Sequence, residues 1–173
     1  MERYALGDDA AFAVVYDALA DRLLGFLRGK LGSLSRAEDL VQQTFLRMHR
    51  ARGSFVSGSA VLPWAFAIAR RLLIDELRRS RRHALAPEQA IADEVTRPSP
   101  DPGAQDLLEA DELARRLQQR LSALPATQRE AFELTRLQGL SHGEAAQVLG
   151  MTVQAVKLRT HRASIALRGV LID

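Results

Sequence analysis

Cysteine is absent from this 173-residue chain. That excludes disulfides, thiol catalysis, zinc ribbons and iron–sulfur clusters together, and it agrees with a reducing cytoplasm. Lysine is almost absent too, with Lys30 and Lys157 set against 22 Arg. Aromatic residues reach only 5%, and no long apolar run occurs. The most apolar stretch, Val61 to Leu77, is interrupted by Arg70, Arg71, Asp75 and Glu76. A spanning helix needs ~20 mostly apolar residues, so no transmembrane helix and no direct membrane insertion are expected. The start, Met1-Glu2-Arg3-Tyr4, lacks a basic head followed by an apolar core, so no signal peptide is expected and the protein reads as cytoplasmic. Sustained period-two alternation is also missing, which argues against a sheet.

What is present is an ordinary globular composition, 47% hydrophobic and 26% charged. The formal net charge of +3 conceals a pattern. Residues 1–52 carry +1, 53–83 carry +4, 84–112 carry −7 and 113–173 carry +5. Two basic blocks flank an acidic one, and a basic block is the electrostatic footprint of a polyanion partner. Charge by itself is equally compatible with solvated helix faces.

Three segments follow from the punctuation. Residues 1–83 read as helices. Phe12, Val15, Tyr16, Leu19, Leu23 and Leu27 keep helical spacing. A second helix is expected from Ser35, as N-cap, to Arg52, with an apolar stripe of Leu34, Ala37, Val41, Phe45 and Met48. The Gly- and Ser-rich stretch 53–62 reads as a loop, and Pro63 suits the first turn of a helix reaching Arg82. Residues 84–105 gather Pro87, Pro98, Pro100 and Pro102 among acids, the composition of a flexible linker. Residues 106–173 return to helix, with breaks at Pro125 and Gly139. The expected fold class is all-α, with two small helical domains, 1–83 and 106–173, joined by the linker 84–105.

The C-terminal end carries a helix-turn-helix pattern. Ser141 and Glu144 form a capping-box signature that opens a short helix to Leu149. Gly150 turns the chain, and Thr152 caps a final helix to about Arg168. Ala145, Ala146, Val148, Leu149, Val153 and Val156 are expected to pack between the two helices. Gln154, Lys157, Leu158, His161 and Arg162 are expected to face outward, where long polar side chains suit base edges, and Arg159 and Arg168 suit phosphates. A plain helical hairpin with an arginine-rich face would show the same spacing.

Two more constellations lie in the first segment. Asp39, Gln42, Gln43 and Leu46 stand at i, i+3, i+4 and i+7, one helix face distinct from the apolar stripe. Spacing alone leaves this face either solvated or protein-docking. Arg70, Arg71, Arg78, Arg79, Arg81 and Arg82 load one helix beside the Gly/Ser loop, an arrangement suited to single-stranded or opening DNA. Trp64, near the start of that helix, reads as a core residue.

Together these stretches resemble a known family. AEDLVQQTFLRMHR (37–50), PWAFAIARRLLIDELRR (63–79) and LPATQREAFELTRLQGLSHGEAAQVLGMTVQAVKLRTHRA (124–163) are similar to bacterial RNA polymerase sigma factors of the sigma-70 family, extracytoplasmic-function group. The resemblance implies that Asp39, Gln42, Gln43 and Leu46 dock on the beta-prime clamp helices of core polymerase, and that the beta flap is a further contact. It implies that the loop 53–62 with Trp64, Arg70, Arg71 and Arg78 melts and holds the −10 element. It implies that Gln154, Lys157, Leu158, Arg159, His161 and Arg162 read the −35 element, and that an anti-sigma factor, often membrane-anchored, controls the protein. Two positions depart from the family pattern: Arg71 stands where Asn is common, and Leu158 where a small polar residue is common.

The competing reading is a stand-alone helix-turn-helix repressor or activator, which would normally dimerise on a palindrome. No heptad argues for a dimer. A pure interaction protein fits the basic final helix poorly. An enzyme fits least, because His49, His83, His142 and His161 are scattered and no metal site, nucleophile–base pair or cofactor motif appears at useful spacing.

Overall fold

The structure is a computed structural model that describes residues 1–84, 116–117 and 119–168. Every regular element among them is helical, and they fall into two helical domains. The expected linker 84–105 and the beginning of the helix expected from Asp106 lie outside the described residues, apart from Ala84.

The first domain is built on three long helices. A short α1 (Glu2–Ala5) precedes α2 (Ala10–Leu31), α3 (Leu34–Arg50) and α4 (Val61–Ala84). Gly32, left-handed at φ +67°, ends α2, a conformation that costs Gly nothing. Ser33 then caps α3, its hydroxyl accepting the Arg36 amide. The cap is therefore two residues upstream of the expected Ser35, because the left-handed Gly32 leaves Ser33 extended and in capping geometry. The helix ends at Arg50 rather than Arg52, where a 3-10 turn takes over at Arg52–Ser54.

The spacing of apolar residues becomes a shared core. Leu19, Leu23 and Leu27 of α2, Ala37, Val41, Phe45 and Met48 of α3, and Phe66, Ala69 and Leu73 of α4 are all buried. Each large side chain taken out of water contributes roughly 1.5–3 kcal/mol. Phe26 and Phe66 meet edge to face with centroids 5.2 Å apart. Two members of the expected stripes are exposed, and Phe12 is only half-buried. Leu34 is 46% exposed, because it opens α3 ahead of the packed turn, and Tyr16 is 43% exposed, its ring leaning on Phe45 at 4.7 Å. Arg36 joins α3 to α4 by donating to Glu76 at 2.9 Å and to Ser80 at 2.6 Å.

The described residues of the second domain form four helices. A helix described at 116–117 and 119–123, α5, stops before Pro125. The next, α6 (Ala126–Phe132), runs on as a π-helical turn over Glu133–Leu137. Then come α7 (His142–Leu149) and α8 (Val153–Leu167). Leu121, Phe132, Ala163 and Leu167 form its buried cluster. The π turn brings Thr135 to α8, where its hydroxyl lies 3.3 Å from that of the buried Thr160.

Candidate nucleic-acid interface

The α7–turn–α8 unit shows how local chemistry sets a reading helix. The Ser141 hydroxyl accepts the Glu144 amide at 3.2 Å, and the Glu144 carboxylate accepts the Ser141 amide at 2.8 Å. Two of the backbone donors left open at the start of α7 are thereby satisfied. Gly150 is left-handed at φ +67°, and the Met151 amide returns to the Ala146 carbonyl at 3.1 Å. Thr152 caps α8, its hydroxyl accepting the Ala155 amide at 3.2 Å. Ala145, Ala146, Val148 and Leu149 are buried, as is Val156. Val153 is 42% exposed and does not join this core, because as the first residue of α8 it precedes the turn that packs.

Burying Val156, Thr160, Ala163 and Leu167 determines the opposite face of α8. Gln154, Lys157, Leu158, His161 and Arg162 are all exposed on it. Leu158 is 49% exposed, so it is a surface apolar group and not a packing residue. Arg159 stands apart. It is half-buried and its Nη1 donates to Met151 Sδ at 2.9 Å, so it braces the turn in this structure. Arg168, just beyond α8, is exposed.

In the first domain, Asp39, Gln42, Gln43 and Leu46 are exposed together along α3, and Leu46 is 48% accessible. Their neighbours Leu40, Val41, Thr44 and Phe45 are buried, so packing and not spacing alone separates the two faces. On α4, Arg71 and Arg78 are exposed and Arg70 is half-buried. Arg79 is committed to Glu76 at 2.9 Å. Trp64 corrects the expectation of a core residue. It is half-buried and its ring packs on Phe55 of the preceding loop, centroids 5.2 Å apart. An aromatic at this junction sits between helix and loop because α4 begins only three residues earlier.

The N-terminal segment is a part of the site that sequence reasoning missed. The Glu2 carboxylate accepts the Ser57 hydroxyl at 2.6 Å and the Gly58 amide at 2.9 Å. These bonds, Ser57 first, hold its carboxyl below the ordinary 4.5. The carboxylate is therefore charged at neutral pH, and its hold on the loop weakens only as pH falls through that lowered value. Tyr4 is buried, stacks obliquely on Phe12 at 5.3 Å, and shares a hydrogen bond with His49 Nδ1. Burial pushes the Tyr4 phenol above its ordinary value, which keeps it protonated. The signal for this contact was weak: an acid and an aromatic near the start, with nothing in their spacing to name a partner more than fifty residues away.

Among the described residues, no three His, Asp or Glu side chains are grouped to hold a metal ion. No described helix is long and apolar enough to cross a membrane.

Two helical domains, one ending in a helix-turn-helix whose outer face carries Gln, Lys, His and Arg, define a DNA-binding transcription protein. Comparison with known proteins narrows that class. Residues 15–83 match the family profile Sigma-70 region 2, and residues 114–167 match Sigma-70, region 4. The ECF RNA polymerase sigma factor SigF of Caulobacter vibrioides is 35% identical over 162 residues, covering 93% of this chain and 86% of that protein. SigW of Bacillus subtilis is 31% identical over 172 residues, covering 96% and 92%. Among solved structures, the sigma factor RpoE of Bartonella quintana, bound to the anti-sigma factor NepR, superposes with a TM-score of 0.75 at 27% identity, covering 94% of this chain and 98% of that one. CnrH, bound to the cytosolic domain of CnrY, superposes with a TM-score of 0.68 at 26% identity, covering 96% and 91%. The chain belongs to the sigma-70 family of RNA polymerase sigma factors, in its ECF group, and is a non-enzymatic transcription initiation factor. The matches to both sigma-70 regions set aside the reading as a stand-alone repressor.

Proposed function

We propose that this sigma factor places core RNA polymerase on promoters through three surfaces. The α3 face of Asp39, Gln42, Gln43 and Leu46 docks on the beta-prime clamp helices. The loop 53–62 with Trp64, Arg70, Arg71 and Arg78 opens the −10 element, where guanidinium groups hold strand phosphates. The α8 face of Gln154, Lys157, Leu158, His161 and Arg162 reads the −35 element in the major groove, and Arg159 joins it at the backbone. The beta flap of core polymerase is a second contact of the C-terminal domain. The protein works in the cytoplasm, where core polymerase is. An anti-sigma factor, soluble or membrane-anchored, restrains it. The complexes of RpoE with NepR and of CnrH with CnrY support that last assignment.

The observation that carries the reading is the division of α8. One face buries Val156, Thr160, Ala163 and Leu167, and the other exposes two cations, a His and a Gln within nine residues. Such a face supplies the long donors that base edges require. Run-off transcription with core polymerase on a genomic library tests the proposal. Discrete transcripts that depend on this chain are expected, and they also yield the promoter. Transcription identical to that of core alone would reject it.

A further inference from the structure

The loop between α3 and α4 begins in the 3-10 turn of Arg52–Ser54, where the Ser54 hydroxyl donates to the Ala51 carbonyl at 2.8 Å, but its second half, 56–60, has no helix to hold it. Among its residues, Gly53, Ser54, Ser57, Gly58, Ser59 and Ala60 are exposed, and Val56 is 70% exposed. Phe55, half-buried against Trp64, is its apolar anchor. A groove of about 610 Å³ runs beside it, lined by Met1, Glu2, Val14, Phe55, Gly58 and Val61 among others. Fixing a stretch of small, exposed polar residues in one conformation costs backbone entropy. Some other interaction has to select one.

Glu2 supplies that interaction. Both the Ser57 hydroxyl and the Gly58 amide converge on one oxygen, Glu2 Oε1, at 2.6 and 2.9 Å. They lie at the centre of a turn closed by the Ser59 amide on the Val56 carbonyl at 3.1 Å. Gly58 has φ +79° there, the third-position conformation of a type II turn, which favours glycine. The carboxylate is itself held in place. Tyr4, two residues on, is 1% exposed among Phe12 and His49, and the Arg52 guanidinium lies 5.7 Å from its ring centroid. Arg3 closes the following turn on Asp8 with an ion pair of 2.6 Å. The N-terminal turn is thus anchored in the core at one point and grips the loop at another.

We propose that Glu2 is a positioning residue for promoter opening: anchored through Tyr4, it holds Ser57 and Gly58 so that the loop meets single-stranded DNA already ordered. The proposal rests on the loop's role in −10 recognition given above. Preordering removes a conformational cost that binding would otherwise bear, so its loss weakens affinity for the opened strand and nothing else.

The test uses the full chain, tagged at its C-terminus, assembled with core polymerase. The probe is a forked DNA with a single-stranded −10 segment from a promoter recovered by run-off transcription. Glu2→Ala is expected to weaken binding of this fork about tenfold, the loss of a charge-assisted pair of hydrogen bonds partly offset by water. Glu2→Gln removes the charge but keeps the acceptor oxygen, and is expected to lose about threefold, between the parent and Glu2→Ala. It thereby separates the grip on the loop from simple repulsion of DNA phosphates. In a Ser57→Ala background the Glu2→Ala effect is expected to shrink, since the two share one bond. Affinity for core and for a −35 duplex is expected to be unchanged throughout. Equal fork binding by parent, Glu2→Ala and Glu2→Gln would overturn the proposal while leaving the sigma-factor reading intact, as would a loss shared equally by the −35 duplex. If the parent recovers no promoter at all, both fall.

Discussion

Arg162 shows what a single side chain on α8 contributes. It is exposed, one turn beyond Leu158, on the face opposite the buried Val156 and Ala163. Arg162→Ala is expected to lower −35-dependent run-off transcription about tenfold, the value of one good base contact, with core binding retained. Arg159, two residues from Lys157, shows why neighbours on one helix differ. Its donation to Met151 couples it to the turn, so truncating it also loosens the turn that α8 starts from. Outward placement of Gln154, Lys157, His161 and Arg162 was legible in the spacing. The bond between Arg159 and Met151 was not, since it depends on where the turn folds back. Nor was the grip of Glu2 on Ser57, a contact across fifty-five positions that no local pattern encodes.

At the scale of elements, caps and stripes do most of the deciding. The reciprocal Ser141–Glu144 box starts α7, so Ser141→Ala is expected to destabilise the C-terminal domain by about 1 kcal/mol, read as a lower urea midpoint with an unchanged slope. The capping motif was readable because it is contained in four residues. The start of α3 was not read correctly, since Ser33 and Ser35 both qualify by type and only the left-handed Gly32 chooses between them. On α3 itself, the buried Leu40, Val41, Thr44 and Phe45 leave Asp39, Gln42, Gln43 and Leu46 outside. Asp39→Arg with Gln43→Arg changes only exposed positions. Loss of co-purification with core polymerase is expected, at an unfolding midpoint close to that of the parent. Retained co-purification would remove the docking role from this face.

For the whole molecule, the small net charge of +3 arises from two basic blocks and an acidic one, and the basic blocks fall on different domains. Each phosphate contact by an arginine releases counterions, so the logarithm of the holoenzyme's promoter-binding constant is expected to fall linearly with the logarithm of salt concentration. Arg78→Ala, which removes a phosphate contact in the first domain, is expected to flatten that slope by about one, whereas Arg162→Ala, which removes a base contact in the second, is expected to lower affinity with the slope nearly unchanged, measured by titrating salt against fork and duplex binding. Joining two modest contacts in one chain raises the effective concentration of the second once the first is made. The sequence by itself determined the helical class, the two domains, the helix-turn-helix and the family resemblance. Each of these rests on periodicity, caps or charge, which act within a few residues or add along the chain. The tertiary structure alone decided that Trp64 leans on Phe55, that Val153 and Leu34 stay outside the core, and that the N-terminal turn holds the 53–60 loop. Those outcomes depend on which distant surfaces meet, and burial is a property of the packed domain rather than of any segment within it.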